Sequence, residues 1–148
     1  MFRVVFPVGS DRPTPPPQSA DGYVWVGHGQ ALLVDDEPAV LATASEMLRH
    51  LGYSVVTADG AESGLAKFPL AQGLFQLVVI DMTMPTLSGD EVLGRMRQVR
   101  PDLPAVLISG YSEEDVVPGN LLAERTVFVQ KPFTLQVLRR QVRRVIEP

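Results

Sequence analysis

Five short apolar runs, Ala31 to Val34, Ser54 to Ala58, Leu77 to Ile80, Ala105 to Ile108 and Thr126 to Val129, punctuate the chain at intervals that leave room for a helix between most of them. In those intervals the apolar residues recur at helical spacing: Val40, Leu41, Ala44, Met47, Leu48 and Leu51 form one stripe, Val92, Leu93, Met96 and Val99 another, and Leu135, Leu138, Val142 and Ile146 a third. Strand runs alternating with amphipathic helices are the signature of successive β-α units wound around a parallel sheet. The chain is therefore expected to be an α/β protein, a doubly wound (βα)5 three-layer sandwich with strand order 2-1-3-4-5.

Local signals refine the helices. Pro38 suits the first turn of the first helix, where a missing amide hydrogen costs nothing, and Gly52 can close that helix in a left-handed conformation. The second helix, about Ala61 to Phe68, is interrupted by Gly64. Ser112 and Asp115 resemble an N-terminal capping box, but Pro118 and Gly119 follow within two turns, so a fourth helix there should be short or irregular.

The chain has 148 residues, 45% of them hydrophobic, which suits one globular domain plus a tail. That tail is residues 1–29, where Phe2 to Phe6 precedes Pro13, Pro15, Pro16 and Pro17 and then small polar residues; proline resists helix, so the segment reads as a semi-rigid linker before a domain spanning 30–148. A formal net charge of -4 and a pI near 5.1 argue against nucleic acid or an anionic membrane as the partner, since either favours a basic footprint. Without cysteine, disulfide and thiolate chemistry are excluded. No apolar run approaches the roughly 18 to 20 residues that span a bilayer, and no signal peptide is evident, so a soluble cytoplasmic segment is expected.

Following each strand to its carboxyl end gives the chemistry. The first runs into Asp35 and Asp36, the third into Asp81, the fourth into Ser109 and the fifth into Lys131. In open parallel sheets the ligand site lies outside the carboxyl ends of the strands, where the winding reverses. With neighbouring strands about 4.8 Å apart, Lys131 starts about 10 Å from the third strand, a gap its extended stem can mostly close. Three carboxylates in one crevice repel one another unless a cation compensates, and an all-oxygen set without His or Cys selects a hard ion such as Mg²⁺. Taken singly, each group has a plainer reading: an Asp-Asp pair as a solvated strand end, Ser109 as a turn hydroxyl, Lys131 as a surface lysine. Only their shared position at strand ends makes them a site.

Leu33-Val34-Asp35-Asp36-Glu37-Pro38, Val79-Ile80-Asp81-Met82-Thr83-Met84-Pro85 with Gly89 beyond it, Ile108-Ser109-Gly110-Tyr111 and Lys131-Pro132-Phe133 together resemble the receiver domain of bacterial response regulators and hybrid histidine kinases. The resemblance covers about Gln30 to Glu147. It implies a flavodoxin-like fold in which Asp81 is the phosphoacceptor, Asp36, Asp81 and the Thr83 carbonyl bind Mg²⁺ (or Mn²⁺), and Asp35 supports the ion through water. It further implies that Ser109 and Lys131 contact the phosphoryl oxygens, that Thr83 and Tyr111 tune hydrolysis of the phosphoaspartate, and that the Lys131–Pro132 peptide is cis. Ser109 and Phe128 would form the switch: movement of the hydroxyl toward the phosphoryl group vacates space for the aromatic ring, which lacks the hydroxyl that many relatives carry there.

The implied partners are a histidine kinase phosphodonor domain, in cis or in trans, and a histidine phosphotransfer protein. Phe2 to Pro7 resembles the last strand of a histidine kinase ATP-binding domain, and Gly27-His28-Gly29-Gln30 resembles the linker to a hybrid kinase receiver. The expected context is thus the C-terminal receiver of a hybrid sensor kinase, with a stand-alone response regulator or a phosphorylation-independent interaction module as alternatives. One residue follows Glu147, so no DNA-binding output domain is expected. As to enzymatic activity, the segment would assist its own phosphorylation and dephosphorylation, the kinase activity belonging to the parent chain. Two other classes fit less well: an aspartate-nucleophile phosphatase wants a second Asp where Thr83 stands, and a flavodoxin-like cofactor binder wants a phosphate-cradling loop where Asp36 and Glu37 would repel an anion. His28 and His50 lack the following Glu of a phosphodonor histidine, and Arg139, Arg140, Arg143 and Arg144 read as a solvated helix face.

Overall fold

A computed structural model describes residues 26–70, 75–110 and 125–147. Its order is β1 (Gln30–Val34), α1 (Pro38–His50), β2 (Ser54–Ala58), α2 (Ala61–Leu70), β3 (Phe75–Asp81), α3 (Gly89–Val99), β4 (Ala105–Ser109), β5 (Thr126–Gln130) and α4 (Leu135–Ile146). All strand pairings are parallel, and the sheet runs β2-β1-β3-β4-β5, the order expected. The short helix expected around Ser112 to Gly119, Tyr111, and residues 1–25 of the tail lie outside the described residues.

The strands are apolar throughout because both faces of the sheet are covered. Side chains alternate with a period of two. Leu32, Val34, Val78, Ile80, Leu107 and Phe128 face one way and pack with Phe68, Val92, Leu93 and Met96 from α2 and α3. Ala31, Leu33, Leu77, Val79, Val106, Ile108 and Val129 face the other way, against Ala44 and Leu48 of α1 and Leu138, Val142 and Val145 of α4. Two separate hydrophobic layers thus fix the register, since a one-residue slip would exchange them.

Helix ends follow the local signals. Pro38 occupies the first turn of α1, and Gly52 follows its end with φ of 110°. The Glu91 carboxylate accepts from the Ser88 amide at 3.1 Å at the start of α3, and Thr134 Oγ1 accepts from the Val137 amide at 3.2 Å at the start of α4. Gly64, which weakens the sequence pattern of α2, has a packing reason: a Cβ there would lie 2.9 Å from Val34 Cγ2, so its absence lets the helix approach β1. One expectation needs correcting. Val99 belongs to the apolar stripe of α3 by spacing, yet it is 66% exposed, because the helix ends there and the following Arg100 is already extended. The arginine face of α4 is mostly as expected, with Arg140, Arg143 and Arg144 exposed and Arg139 half-buried.

Candidate functional site

Chain order reverses between β1 and β3, so the carboxyl ends of these two strands diverge into helices on opposite sides of the sheet and leave a crevice. Asp35 follows β1 and is fully buried. Its Oδ1 accepts the Glu37 amide at 2.8 Å, while Oδ2 has no hydrogen bond. Asp36 is exposed at the rim. Asp81 closes β3 with 1% exposure, and its Oδ1 faces the Thr83 amide at 3.3 Å and the Thr83 hydroxyl at 3.4 Å. Gly89 stands behind the loop that follows β3: a Cβ there would lie 2.5 Å from the Asp81 carbonyl oxygen.

Asp35, Asp36 and Asp81 each bring a carboxylate oxygen to within 4.8 Å of the others'. Burial is the main influence on both inner acids. It pushes Asp35 up to about 6, with the Asp81 charge adding and the Glu37 amide and Lys131 opposing. Burial likewise raises Asp81, against the pull of Lys131 and the Thr83 amide.

Lys131 reaches the crevice from just beyond β5. Its amide donates to the Ser109 carbonyl at 2.7 Å, which ties the ends of β4 and β5 together, and the Lys131–Pro132 peptide is cis. Its Nζ lies 3.7 Å from Asp81 Oδ1, 3.3 Å from Asp35 Oδ2 and 2.9 Å from Glu37 Oε1. Burial works against the charged lysine, but the Glu37 hydrogen bond and the Asp81 and Asp35 charges outweigh it and hold the ammonium above its ordinary range. Ser109 ends β4 and is fully buried. Phe128, on β5, is packed into the layer under α2 and α3, and its carbonyl accepts from Gln141 Nε2 at 2.8 Å.

Of the residues that the sequence singles out, Asp35, Asp36, Asp81 and Lys131 converge, Thr83 approaches Asp81 through amide and hydroxyl, and Ser109 and Phe128 stand on β4 and β5. The residue that sequence reasoning passes over is Glu37. It sits in the Asp35-Asp36-Glu37 run, where it counts only as part of the motif and as a charge that would repel an anion, and the fold brings it against Lys131.

The residues fit a hard divalent cation. Every donor is oxygen, two of the three acids are buried, and Asp35 Oδ2 is a buried anionic oxygen left without a hydrogen bond. An ion there would compensate charges that one lysine balances only in part.

Comparison with known proteins agrees with the geometry. The family model for the response regulator receiver domain matches residues 31–143. The sensor kinase CckA of Brucella abortus is 34% identical over 122 residues, which cover 82% of this chain and 13% of that protein. Among solved structures, the receiver domain of the hybrid histidine kinase CckA is 28% identical with a TM-score of 0.67, covering 80% of this chain and 100% of that one. The response regulator TrrA of Thermotoga maritima, solved in complex with Mg²⁺ and BeF, is 31% identical with a TM-score of 0.68, covering 79% and 98% of the two chains.

A parallel sheet of this order, with its acids and lysine gathered at the switch point, is the architecture of a phosphoacceptor domain of two-component signalling. This chain belongs to the response regulator receiver domain family. It spans between 13% and 44% of the length of three curated relatives that it matches, the Brucella kinase among them.

Proposed function

We propose that the domain accepts a phosphoryl group on Asp81 from a phosphohistidine, using Mg²⁺ (or Mn²⁺) held by Asp36 and Asp81 with the Thr83 carbonyl and with Asp35 in support. The convergence of Asp35, Asp36, Asp81 and Lys131 at the switch point carries this reading. Phosphoryl transfer passes through a loose transition state with charge on the peripheral oxygens, so the protein's task is alignment and charge compensation. When bound, the cation supplies positive charge to those oxygens. Burial on the strand end fixes the Asp81 carboxylate, Thr83 orients it, and Lys131, reaching in from beyond β5, and Ser109, at the end of β4, receive the phosphoryl oxygens.

Ser109 and Phe128 form the switch in this reading. Phe128 is already buried, so phosphorylation would stabilise an inward ring rather than draw it from solvent. The kinship with CckA supports a place in a hybrid sensor kinase, with residues 1–29 as the preceding linker and 30–148 as the receiver. The phosphodonor is then a histidine kinase domain in cis or in trans, and a histidine phosphotransfer protein is the further partner. No helix among the described residues is long and apolar enough to cross a membrane, which accords with a cytoplasmic receiver.

Incubation with Mg²⁺ and acetyl phosphate tests the reading by intact mass. A single acid-labile phosphoryl adduct should form on the wild type and be absent from Asp81→Asn. Persistence of the adduct in that variant, or its absence from the wild type, would overturn the assignment.

A further inference from the structure

The shortest contact of the Lys131 ammonium is with neither Asp81 nor any other member of the acidic trio. Its Nζ donates to Glu37 Oε1 at 2.9 Å, with Asp35 and Asp81 farther away at 3.3 and 3.7 Å. The lysine side chain is 18% exposed and the glutamate 61%, so the pair spans the mouth of the crevice from the rim inward. Glu37 is held there locally: its amide donates to Asp35 Oδ1 at 2.8 Å, its backbone is extended, and Pro38 begins α1 immediately after it. Two of the lysine's three carboxylate partners, Asp35 and Asp81, belong to the trio that could hold a cation, and Glu37 does not. Glu37 is then the counterion that the ammonium must leave to meet an incoming phosphoryl group.

We propose that Glu37 is a positioning residue that parks Lys131 at the mouth of the site and so restrains phosphorylation of Asp81. The inference rests on the receiver reading and adds a regulator to the same site. In the step concerned, an Asp81 carboxylate oxygen forms its bond to phosphorus as the bond from phosphorus to the donor oxygen breaks. The electron pair leaves with acetate when acetyl phosphate is the donor, and no redox partner is involved. Glu37 touches none of these atoms. It acts through the availability of Lys131, whose three ammonium hydrogens are shared among the facing carboxylates.

The test uses the full chain at saturating Mg²⁺, with initial rates of Asp81 labelling measured against acetyl phosphate concentration by intact mass. Glu37→Gln keeps the amide bond to Asp35 and removes the charge. It should raise the rate at low acetyl phosphate about two- to fivefold, the scale of an exposed ion pair, chiefly through a lower half-saturating concentration. The gain should vanish when the same substitution is made in Lys131→Ala. A slower or unchanged Glu37→Gln overturns the proposal. So does an equal gain in the Lys131→Ala background, which would assign the effect to simple repulsion of the donor. Failure of the receiver reading looks different, because wild-type Asp81 would then carry no label at all.

Discussion

The two ends of the sheet use charge in opposite ways. At the amino ends, arginine side chains complete the backbone: Arg97 donates through Nη2 to the Leu103 carbonyl at 2.8 Å and the Arg125 carbonyl at 2.9 Å, and Arg100 donates to the Phe75 carbonyl. These bonds tie the end of α3 to the entries of β3, β4 and β5. Beside them Tyr53 is buried, and that burial pushes its phenol up to about 12, with the Glu147 charge adding. At the carboxyl ends, Asp35, Asp81 and Glu37 face one lysine, Asp36 stands beside the two inner acids, and a buried carboxylate oxygen is left without a hydrogen bond. One end is satisfied by the chain itself, whereas the other, in the proposed reading, takes up a cation and a phosphoryl group. Scaffold and site differ in whether their polar groups find partners within the fold.

Substitutions at the two ends should therefore separate stability from binding. The largest effect is expected at Asp36, which is exposed and is assigned to the proposed cation site rather than to support of the fold. Asp36→Ala should weaken Mg²⁺ binding by about 100-fold or more while leaving the urea unfolding midpoint unchanged, as a calorimetric titration paired with a denaturation curve would reveal. A large loss of stability in that variant would erase the distinction between the two ends.

Asp35, like Asp81, makes stability depend on pH. In the cation-free folded protein it titrates near 6, against an ordinary value of 3.8, so between these values the folded chain binds more protons than the unfolded chain. Its destabilising contribution is thus full above about pH 6 and disappears as the pH falls toward about 4. In the presence of a chelator, Asp35→Asn should be more stable than the wild type by about 2 kcal/mol near neutrality, and the gap should close on acidification. Mg²⁺ binding should weaken over the same window, since the cation requires the ionised acid. A gap that widens on acidification would mean that the buried carboxylate is compensated within the fold.

The amino end gives the smallest and converse effect. Arg97→Ala should lower stability by about 1 to 2 kcal/mol by leaving two main-chain carbonyls underpartnered, with Mg²⁺ affinity unaltered. Denaturant curves with and without the ion check this, and a shift in affinity would show that the two ends are coupled.

Much of this molecule can be read before it folds. The strand runs, the stripes of α1 and α4, the punctuation at Pro38 and Gly52, and the polar residue ending each site-forming strand are properties of near neighbours, which periodicity reports directly. The misreadings share a cause. Val99 keeps the spacing of its helix but lies where the helix has run out, and Gly64 looks like a defect until Val34 is seen beneath it. Neither can be judged without knowing which surface a helix meets.

That Asp35, Asp36, Asp81 and Lys131 share one crevice was legible in the sequence alone, because strand ends in a doubly wound sheet have only one place to converge. The hold of Glu37 on Lys131, the buried oxygen of Asp35 left without a hydrogen bond, and the inward packing of Phe128 were decided by the tertiary structure. The physical reason is distance along the chain: Glu37 and Lys131 stand 94 residues apart, and only the order of the strands brings their side chains within hydrogen-bonding reach.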